Sequence, residues 1–374
     1  MMTQTNEDLK LTSYDYELPE HMIAERPVVP RHDSRLLVYN KETDEVIHTR
    51  FLELDRYLPK DSLLVLNETK VFPARMLGHK ISGGKCEVFL LSPLPVGGSY
   101  TALIKTASRK NVGDEYYFDF SLNDDELRDC DVFKGPMKRE KLMARITRIN
   151  GDNTFGVAFN GKNMDKVINE FGKVPIPPYV RRGNSDGADI SDYQTIYARG
   201  EGSVAAPTAG FHFTNDVFAR LDKKGIDRAF VTLHIGLGTF ALVKSENILE
   251  HKMHREEYCV TRENLEMIRN RKIIAVGTTT LRVLESAIDE KNEFSIVPDK
   301  YYSTDIFIHP GVDVRSVSGL VTNFHLPKST LLMLVSGLIG RKKALALYED
   351  AKREGYRFFS YGDAMLILLE RGAV

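Results

Sequence analysis

Cysteines are few in this sequence, and their spacing argues against two classes of protein. Cys86, Cys130 and Cys259 are far apart, odd in number and absent from any Cys-x-x-Cys pair. They fit neither a disulfide framework nor a zinc knuckle, and they suit a reducing cytoplasm. His251 and His254 have no third ligand nearby, so we expect no metal site.

Long apolar runs and an excess of one charge are also absent. The most apolar segment, STLLMLVSGLIG, is shorter than the roughly 20 residues that a membrane span needs. The polar start MMTQTNEDLK lacks the apolar region of a signal peptide, so we expect a cytoplasmic protein. The 51 Lys and Arg residues balance 52 Asp and Glu residues. This balance argues against a uniformly basic nucleic-acid binder, but it allows a local basic face.

The chain divides into segments of different character. Its 374 residues exceed one typical core, which predicts two domains. Residues 71–159 contain short β-rich runs separated by turn residues, a pattern typical of a small antiparallel barrel or sandwich, and we predict a barrel. On both sides, strands alternate with helices. We therefore predict an α/β domain with a largely parallel sheet, formed by residues 1–70 and 160–374, into which the barrel is inserted.

Small and polar residues follow several predicted strands. Open α/β sheets bind ligands beyond the carboxyl ends of their strands, so these segments are expected to meet around one site. SVAAPTAGFHFT and NFHLPKST both place Phe-His shortly before a Thr or Ser helix cap. The candidate residues in these and similar segments are Thr208, Gly210, His212, His234, Gly236, Gly238, Thr278, Thr279, Arg282, Asp305, Asn323, His325 and Asp363.

Each candidate also has a structural interpretation. The Gly-Leu-Gly segment is a weak signal because a lone Gly-x-Gly is usually a turn. Thr278 and Thr279 can cap a helix as readily as they bind an anion or a ribose. His212 and His325 can be satisfied core histidines. Asp305 can pair with an arginine, and Asp363 can cap a following helix.

Basic residues are unevenly distributed. RPVVPRHDSR contains Arg31 and Arg35, and KTASRK contains Arg109 and Lys110. Positions 134–148 contain six basic residues and one acidic residue. On a β-barrel such residues can form a phosphate-binding face, although a solvated charged surface is the alternative. Stacking motifs of the RRM kind are absent.

A set of longer motifs occurs together and in one order along the chain: SVAAPTAGFHFT, LHIGLGTF, HKMHREEY, IIAVGTTTLRVLES, TDIFIHPG, LVTNFHLPKSTLLMLVSGLIG and YRFFSYGDAMLI. With YDYELPEHMIAERPVVPRHDSRLLVYN, NETKVFPAR and PIPPY, the set resembles the S-adenosylmethionine:tRNA ribosyltransferase-isomerases of queuosine biosynthesis over nearly the whole chain. Glu68 and Lys70 stand where that family often has Asp and Arg, Ala241 stands where it commonly has Arg, and the charged segment 121–141 is longer than usual.

The resemblance implies a particular reaction. The ribosyl part of S-adenosylmethionine is joined to 7-aminomethyl-7-deazaguanine at the wobble position of a tRNA anticodon and is isomerised, giving epoxyqueuosine-tRNA, adenine and methionine. S-adenosylmethionine is thus a consumed substrate, and no permanently bound cofactor is expected. The resemblance also implies an α/β domain that carries a β-barrel. The expected partners are tRNA and S-adenosylmethionine, and the expected form is a monomer.

The implied chemistry suggests roles for the candidates. The sulfonium acidifies the ribose 5′ carbon, so His212 or His325 can act as the base, with the substrate's own amine as an alternative. Asp363 or the second histidine can assist adenine departure. Asp305 and Glu256 can orient hydroxyls or balance the cation. The remaining candidates are expected to bind substrate, and the residues expected to contact tRNA are Arg31, Arg35, Arg75, Arg109, Lys110, Lys138 and Arg139.

Two other functions stay open from the sequence. A conventional RNA methyltransferase would release S-adenosylhomocysteine instead of adenine and methionine. A tRNA-binding module without catalysis would consume no S-adenosylmethionine and would bind in a salt-sensitive way. The clustered polar residues after strands make the binding module the weaker of the two.

Overall fold

The computed structural model describes residues 4–122, 141–236 and 243–369. In these residues the chain forms a mixed nine-stranded sheet with helices on both faces, a closed six-stranded antiparallel barrel and a small two-stranded sheet. The predicted α/β architecture with an inserted antiparallel β-barrel is confirmed.

The strands and helices have the following bounds. In chain order the strands are β1 (Arg35–Asn40), β2 (Glu45–Arg50), β3 (Ser62–Asn67), β4 (Lys70–Val71), β5 (Arg75–His79), β6 (Lys85–Leu90), β7 (Tyr100–Thr106), β8 (Glu115–Ser121), β9 (Lys141–Ile149), β10 (Phe155–Phe159), β11 (Glu201–Ser203), β12 (Asp227–Leu233), β13 (Glu256–Cys259), β14 (Lys272–Val276), β15 (Tyr302–Thr304), β16 (Gly319–Asn323) and β17 (Ala364–Leu368). The helices are α1 (Leu54–Tyr57), α2 (Met164–Phe171), α3 (Asp189–Asp192), α4 (Asn215–Lys223), α5 (Arg262–Ile268), α6 (Thr278–Ala287), α7 (Thr330–Ile339) and α8 (Arg341–Arg353).

The large sheet is parallel at its centre and antiparallel towards its edges. Its strand order is β15-β13-β12-β3-β14-β16-β17-β1-β2, and β12, β3, β14 and β16 run parallel to one another. β17 and β1 form a second parallel pair, and β17 pairs with β16 in antiparallel orientation. The sheet is therefore mixed, and the carboxyl ends of its four central strands lie at one edge.

Central strands are apolar because both of their faces are covered. All six residues of β3 are buried. Leu63 and Val65 pack with α5 to α8 on one face, whereas Leu64 and Leu66 pack with α1 and α4 on the other. A strand covered on both faces has no solvent-facing positions, which explains its continuous apolar run.

The barrel strands alternate because only their inner face is buried. The order β10-β7-β6-β5-β8-β9 closes the barrel, and β6 has the burial pattern expected of a strand with one wet face. At Gly78 a side chain would overlap the carbonyl oxygen of Tyr117 on the neighbouring strand, so this position needs glycine. The barrel strands run from Arg75 to Phe159, and the domain boundaries at residues 70 and 160 stay a prediction.

Two local sequence patterns predict elements that the structure does not form. YDYELPEHMIAERP has the pattern of a turn and a short helix stopped by Pro27, whereas the structure has only 3-10 turns there, such as Glu20–Met22. DIFIH has the pattern of a strand, whereas it follows β15, which ends at Thr304. No helix in the described ranges is long and apolar enough to cross a bilayer.

Candidate active site

A cleft lies at the carboxyl ends of the central parallel strands. Its empty volume is about 810 Å³, counting the space open to solvent. Ile235 follows β12, Thr278 follows β14, and His325 follows β16, so three neighbouring strands deliver residues to it. Ala205 to Ala209 form another wall, in which small side chains leave the backbone close to the open space.

The first turn of α6 faces this cleft. The helix begins after Gly277, which adopts φ +93° and ψ 151° and supplies no side-chain cap. The first backbone N–H groups of any helix lack intrahelical acceptors, and here no side-chain cap accepts from them, which favours an anionic or hydroxyl ligand. Thr278 and Thr279 line the cleft, and the Thr279 hydroxyl lies 3.4 Å from the side-chain amide of Asn67 at the end of β3.

His212 lies behind the cleft wall and is fully engaged by protein groups. Its Nε2 accepts from the Asn323 side-chain amide at 3.1 Å, and its Nδ1 donates to Ser34 Oγ at 2.8 Å. Asn323 Oδ1 in turn accepts from the Thr208 hydroxyl at 3.1 Å, and both Thr208 and Asn323 line the cleft. Burial, with smaller contributions from Arg357 and Arg31, lowers the pKa of His212 to about 3. The imidazole therefore orients Asn323 and Thr208 as a neutral group.

His325 borders the cleft itself. Its Nε2 lies 2.8 Å from Thr322 Oγ1, and its backbone N–H donates to the Tyr348 hydroxyl at 3.1 Å. The Tyr16 hydroxyl donates to its carbonyl oxygen at 2.5 Å, so the backbone is held on both sides. Burial lowers the pKa of His325 to about 3, so the ring is neutral at pH 7. No group in the described ranges forms a hydrogen bond with Nδ1 of His325, which leaves this atom for a ligand.

An aromatic end of the cleft was missed by the sequence analysis. The rings of Tyr179 and Phe359 lie with centroids 4.7 Å apart, and the Tyr179 hydroxyl is 2.8 Å from Ser360 Oγ. Tyr193 also lines this end. Phe359 has φ +69°, which is rare for an aromatic residue and marks a position held by its surroundings. The only sequence signal was the placement of aromatic residues in the PIPPY and FFSYG segments.

A buried ion pair lies next to the cleft. Arg282 on α6 pairs with Glu256 on β13, and both side chains are almost completely buried. Glu256 Oε1 also accepts from the backbone N–H of Gly236 at 3.0 Å. The pair thereby fixes the chain after β12, where Ile235 borders the cleft. His234 points to the other side of that strand end, where its Nδ1 lies 3.1 Å from the Thr69 hydroxyl.

The structure places three other candidates away from the open space. Asp363 is buried and accepts from the backbone N–H groups of Arg35 and Arg357 at 2.9 and 2.7 Å. Its carboxylate therefore has a structural role, because it ties these two chain segments together. Asp305 is exposed and lies 3.4 Å from Arg255 Nε. Gly210 lies in the turn Thr208–His212, and a side chain there would overlap Tyr197.

Several basic candidates are committed to internal contacts. Arg31 donates to the carbonyl oxygens of Gln194 and Ser191 at 2.6 and 2.7 Å. Arg35 pairs with Glu354 and lies over the Tyr356 ring, and Arg75 forms a two-pronged ion pair with Glu87. These arginines hold the fold together, which reduces the charge that they can offer to a nucleic acid. Arg109 and Lys110, in contrast, lie in the loop between β7 and β8.

Part of the predicted site lies outside the described residues. This applies to Gly238 and Ala241 in the segment after β12, and to Lys138 and Arg139 in the charged segment before β9.

Comparisons with known proteins agree over nearly the whole chain. The model of the family described as queuosine biosynthesis protein matches residues 11–367. The S-adenosylmethionine:tRNA ribosyltransferase-isomerase of Carboxydothermus hydrogenoformans is 43% identical over 365 residues, covering 96% of this chain and 100% of the relative. That of Halothermothrix orenii is 43% identical over 366 residues, with the same coverage. A crystal structure of S-adenosylmethionine tRNA ribosyltransferase from Thermotoga maritima is 32% identical, covers 95% of this chain and 100% of that chain, and has a TM-score of 0.49.

Proposed function

This chain belongs to the queuosine biosynthesis protein family, and we propose that it is an S-adenosylmethionine:tRNA ribosyltransferase-isomerase whose reaction takes place in the cleft. The reaction joins the ribosyl part of S-adenosylmethionine to the aminomethyl group of a 7-deazaguanine in the tRNA anticodon. Adenine and methionine leave, and the ribose becomes the epoxycyclopentanediol of epoxyqueuosine. In this proposal S-adenosylmethionine is a substrate, and the enzyme keeps no cofactor between turnovers.

One observation carries the assignment of the cleft. Motifs that are far apart in the sequence, including APTAG, GTTT and NFH, converge on a single open space through Thr208, Thr278 and His325. Hydroxyl and amide groups line part of it, and the aromatic rings of Tyr179, Tyr193 and Phe359 line another part. A nucleoside joined to an amino acid has the same division, because its base is flat and apolar on its faces whereas its ribose and carboxylate are polar.

The first turn of α6 is our candidate for the polar groups of the substrate. Its free N–H groups and the hydroxyls of Thr278 and Thr279 suit either the methionine carboxylate or the ribose hydroxyls. The aromatic end, with Tyr179 and Phe359, suits a flat heterocycle, either the adenine or the deazaguanine. In this arrangement the ribose lies between the two ends, beside His325 and Thr208.

His325 is our candidate for the group that faces the ribose. When its Nε2–H donates to Thr322 Oγ1, the Nδ1 lone pair is directed to a ligand and can accept a proton from the carbon next to the sulfonium. A pKa of about 3 lies below the range in which a general base works best. With this pKa His325 is a hydrogen-bond acceptor, and a nearby methionine carboxylate would raise the pKa of the imidazole towards that range.

His212 has a different role in this proposal. Both of its ring nitrogens are used within the protein, so it acts as a positioning residue that holds Asn323 and, through it, the Thr208 hydroxyl. The other groups singled out for chemistry, Asp305 and Asp363, are occupied by Arg255 and by backbone N–H groups. We assign them no contact with the reacting atoms.

The products of a single incubation test the proposed function. The protein is mixed with S-adenosylmethionine and tRNA that carries 7-aminomethyl-7-deazaguanine, and both the small molecules and the digested nucleosides are analysed by mass spectrometry. We expect free adenine, free methionine and epoxyqueuosine in equal amounts. Formation of S-adenosylhomocysteine with a methylated nucleoside would instead identify a methyltransferase. Binding of tRNA without consumption of S-adenosylmethionine would identify a binding module.

A further inference from the structure

A groove opens on the barrel surface, away from the cleft. β7 pairs with β10 only at Tyr100, Thr101 and Ala102, although its pairing with β6 continues to Thr106. From Leu103 onward, β7 therefore has a neighbour on one side only. The resulting groove has an empty volume of about 920 Å³, counting the space open to solvent.

The groove combines aromatic and basic side chains. Phe155 and Ile104 are nearly buried at its base, and the partly exposed side chains of Phe89 and Leu103 face each other across β6 and β7. Lys105 and Lys110 line it as well, and the Lys110 ammonium lies 6.0 Å from the centroid of the Phe155 ring. The groove thus offers ring faces next to positive charge.

The lining of this groove carries two lysines and one carboxylate, that of Glu87, which lies opposite Lys105 on the neighbouring strand. Glu87 lies in the groove, but Arg75 holds its carboxylate with two contacts of 3.0 Å. Lys105, Lys110 and the neighbouring Arg109 form no ion pair with any described residue. This contrasts with Arg31, Arg35 and Arg75, whose charged groups are engaged by protein atoms. The groove therefore complements an anionic partner.

We propose that this groove binds an unpaired nucleotide of the tRNA substrate, with its base against Phe89 and its phosphates near Lys105 and Lys110. Single-stranded nucleic acids are recognised by this combination of aromatic platforms and a basic channel. An acidic peptide would also satisfy the charges, but it would gain little from an exposed ring face. The inference rests on the proposed function, since that function makes tRNA the partner.

The groove is connected to the cleft by ordered chain. Arg75 donates to the carbonyl oxygen of Gly183 while it holds Glu87 at the groove. Gly183 follows closely after Tyr179, which lines the aromatic end of the cleft. Arg75 therefore links Glu87 in the groove to the segment that follows Tyr179.

Binding and turnover of the full-length protein test the proposal. A fluorescently labelled anticodon stem-loop transcript is titrated with protein between 50 and 200 mM salt. For Lys105→Ala with Lys110→Ala, we expect about tenfold weaker binding and a salt slope reduced by about 1.4, since each single-strand phosphate contact contributes about 0.7. For Phe89→Leu we expect roughly tenfold weaker binding, and for Phe89→Tyr binding close to that of the parent, because tyrosine keeps a ring face.

A matched pair of lysines provides the control. Lys60 and Lys223 are exposed and lie just before β3 and β12, at the sheet edge opposite the cleft. Their double alanine variant should keep the parent affinity and salt slope. Parent-like binding by the Lys105 and Lys110 variant would overturn the proposal, and so would a loss in Phe89→Leu that tyrosine does not restore.

Turnover separates this inference from the proposed function. With modified tRNA, the groove variants should show a raised KM for tRNA, while kcat at saturating tRNA and KM for S-adenosylmethionine stay unchanged. If the parent releases no adenine, the proposed function fails, and the binding titration still tests the groove. If the parent is active and the groove variants keep its KM for tRNA, only the inference about the groove fails.

Discussion

At the residue scale, two histidines with similar sequence surroundings have different roles. Both follow a phenylalanine and precede a helix cap, and burial lowers the pKa of each to about 3. His212 uses both ring nitrogens within the protein, whereas His325 borders the cleft and its Nδ1 forms no hydrogen bond with a described residue. The immediate sequence could not separate them, because Ser34 and Asn323, the partners that engage both ring nitrogens of His212, lie more than a hundred residues from it.

Substitution of each histidine should therefore change kinetics differently. We expect His325→Ala to lower kcat by at least about 100-fold, because it removes the imidazole that we propose as the base. His212→Gln should lower kcat/KM by roughly tenfold, because a glutamine keeps only part of the contact with Asn323. Single-turnover release of adenine measures both effects, and circular dichroism checks that each variant is folded. Equal losses in the two variants would contradict the division of roles.

The same histidines predict how stability depends on pH. Their folded-state pKa values of about 3 lie below the value of about 6.5 for an unfolded histidine, so the unfolded chain binds these protons first. Their contribution to stability is therefore fully present above about pH 6.5 and is lost as the pH falls towards 3. Each histidine should lower the free energy of unfolding by about 2 kcal/mol between pH 7 and pH 5.

Urea unfolding at pH 7 and pH 5 measures this dependence. The His212→Gln variant has one buried histidine fewer, so its loss between the two pH values should be smaller than the parent's by about 2 kcal/mol. An identical loss in parent and variant would show that His212 does not remain neutral in the folded protein.

At the scale of secondary-structure elements, the ends of strands and helices decide where chemistry can occur. β14 ends at Val276, and α6 begins at Thr278, so Gly277 alone makes the turn between them. Its φ of +93° with an extended ψ is a conformation that only glycine adopts without strain. This turn places the start of α6 beside the cleft, which Gly277, Thr278 and Thr279 line.

Gly277→Ala should disturb this turn more than it disturbs packing. The added methyl group would meet Thr279 Oγ1 at 3.6 Å and Ala209 Cβ at 3.7 Å, so there is room for it, but the backbone must move or remain strained. We expect a loss of about 1–3 kcal/mol in stability and a roughly tenfold rise in KM for S-adenosylmethionine. Gly225→Ala, at φ +70° after α4 with open space around it, should lose about 1 kcal/mol without any change in KM. An unchanged KM in Gly277→Ala would remove α6 from the substrate site.

At the scale of the whole molecule, a buried carboxylate joins segments that are distant in the chain. Asp189 in α3 is fully buried and lies 3.2 Å from Arg26, 2.5 Å from Arg181 and 3.1 Å from the Tyr361 hydroxyl. These partners come from the N-terminal segment, from the segment that follows the barrel and from the turn before β17. The cluster therefore holds together the aromatic end of the cleft and the chain on either side of the barrel.

Asp189→Asn should destabilise the protein, because it breaks this buried cluster, although Asp189 itself does not line the cleft. We expect a loss of about 2–3 kcal/mol in the free energy of unfolding. This is near or below the lower end of the range for a broken buried ion pair, because both guanidinium groups reach water. The exposed neighbour Asp186, which also pairs with Arg26, is the matched control, and Asp186→Asn should cost at most about 1 kcal/mol. The urea midpoint at constant slope measures the difference. Equal midpoints for the two variants would show that the buried cluster adds nothing.

The sequence alone determined the architecture and the chemistry-bearing segments. Strand periodicity separated the barrel from the α/β domain. Residues after predicted strands pointed to Thr278 and His325, and the small-residue segment before a predicted helix pointed to Thr208, because hydrophobic periodicity and turn residues act locally. Tertiary structure decided which side chains line the cleft and which form hydrogen bonds inside the protein. It engaged His212 and Asp363 with protein groups, and it brought Tyr179 and Phe359 together. Hydrogen-bond partners that lie more than a hundred residues apart leave no local pattern, so only the folded chain could assign them.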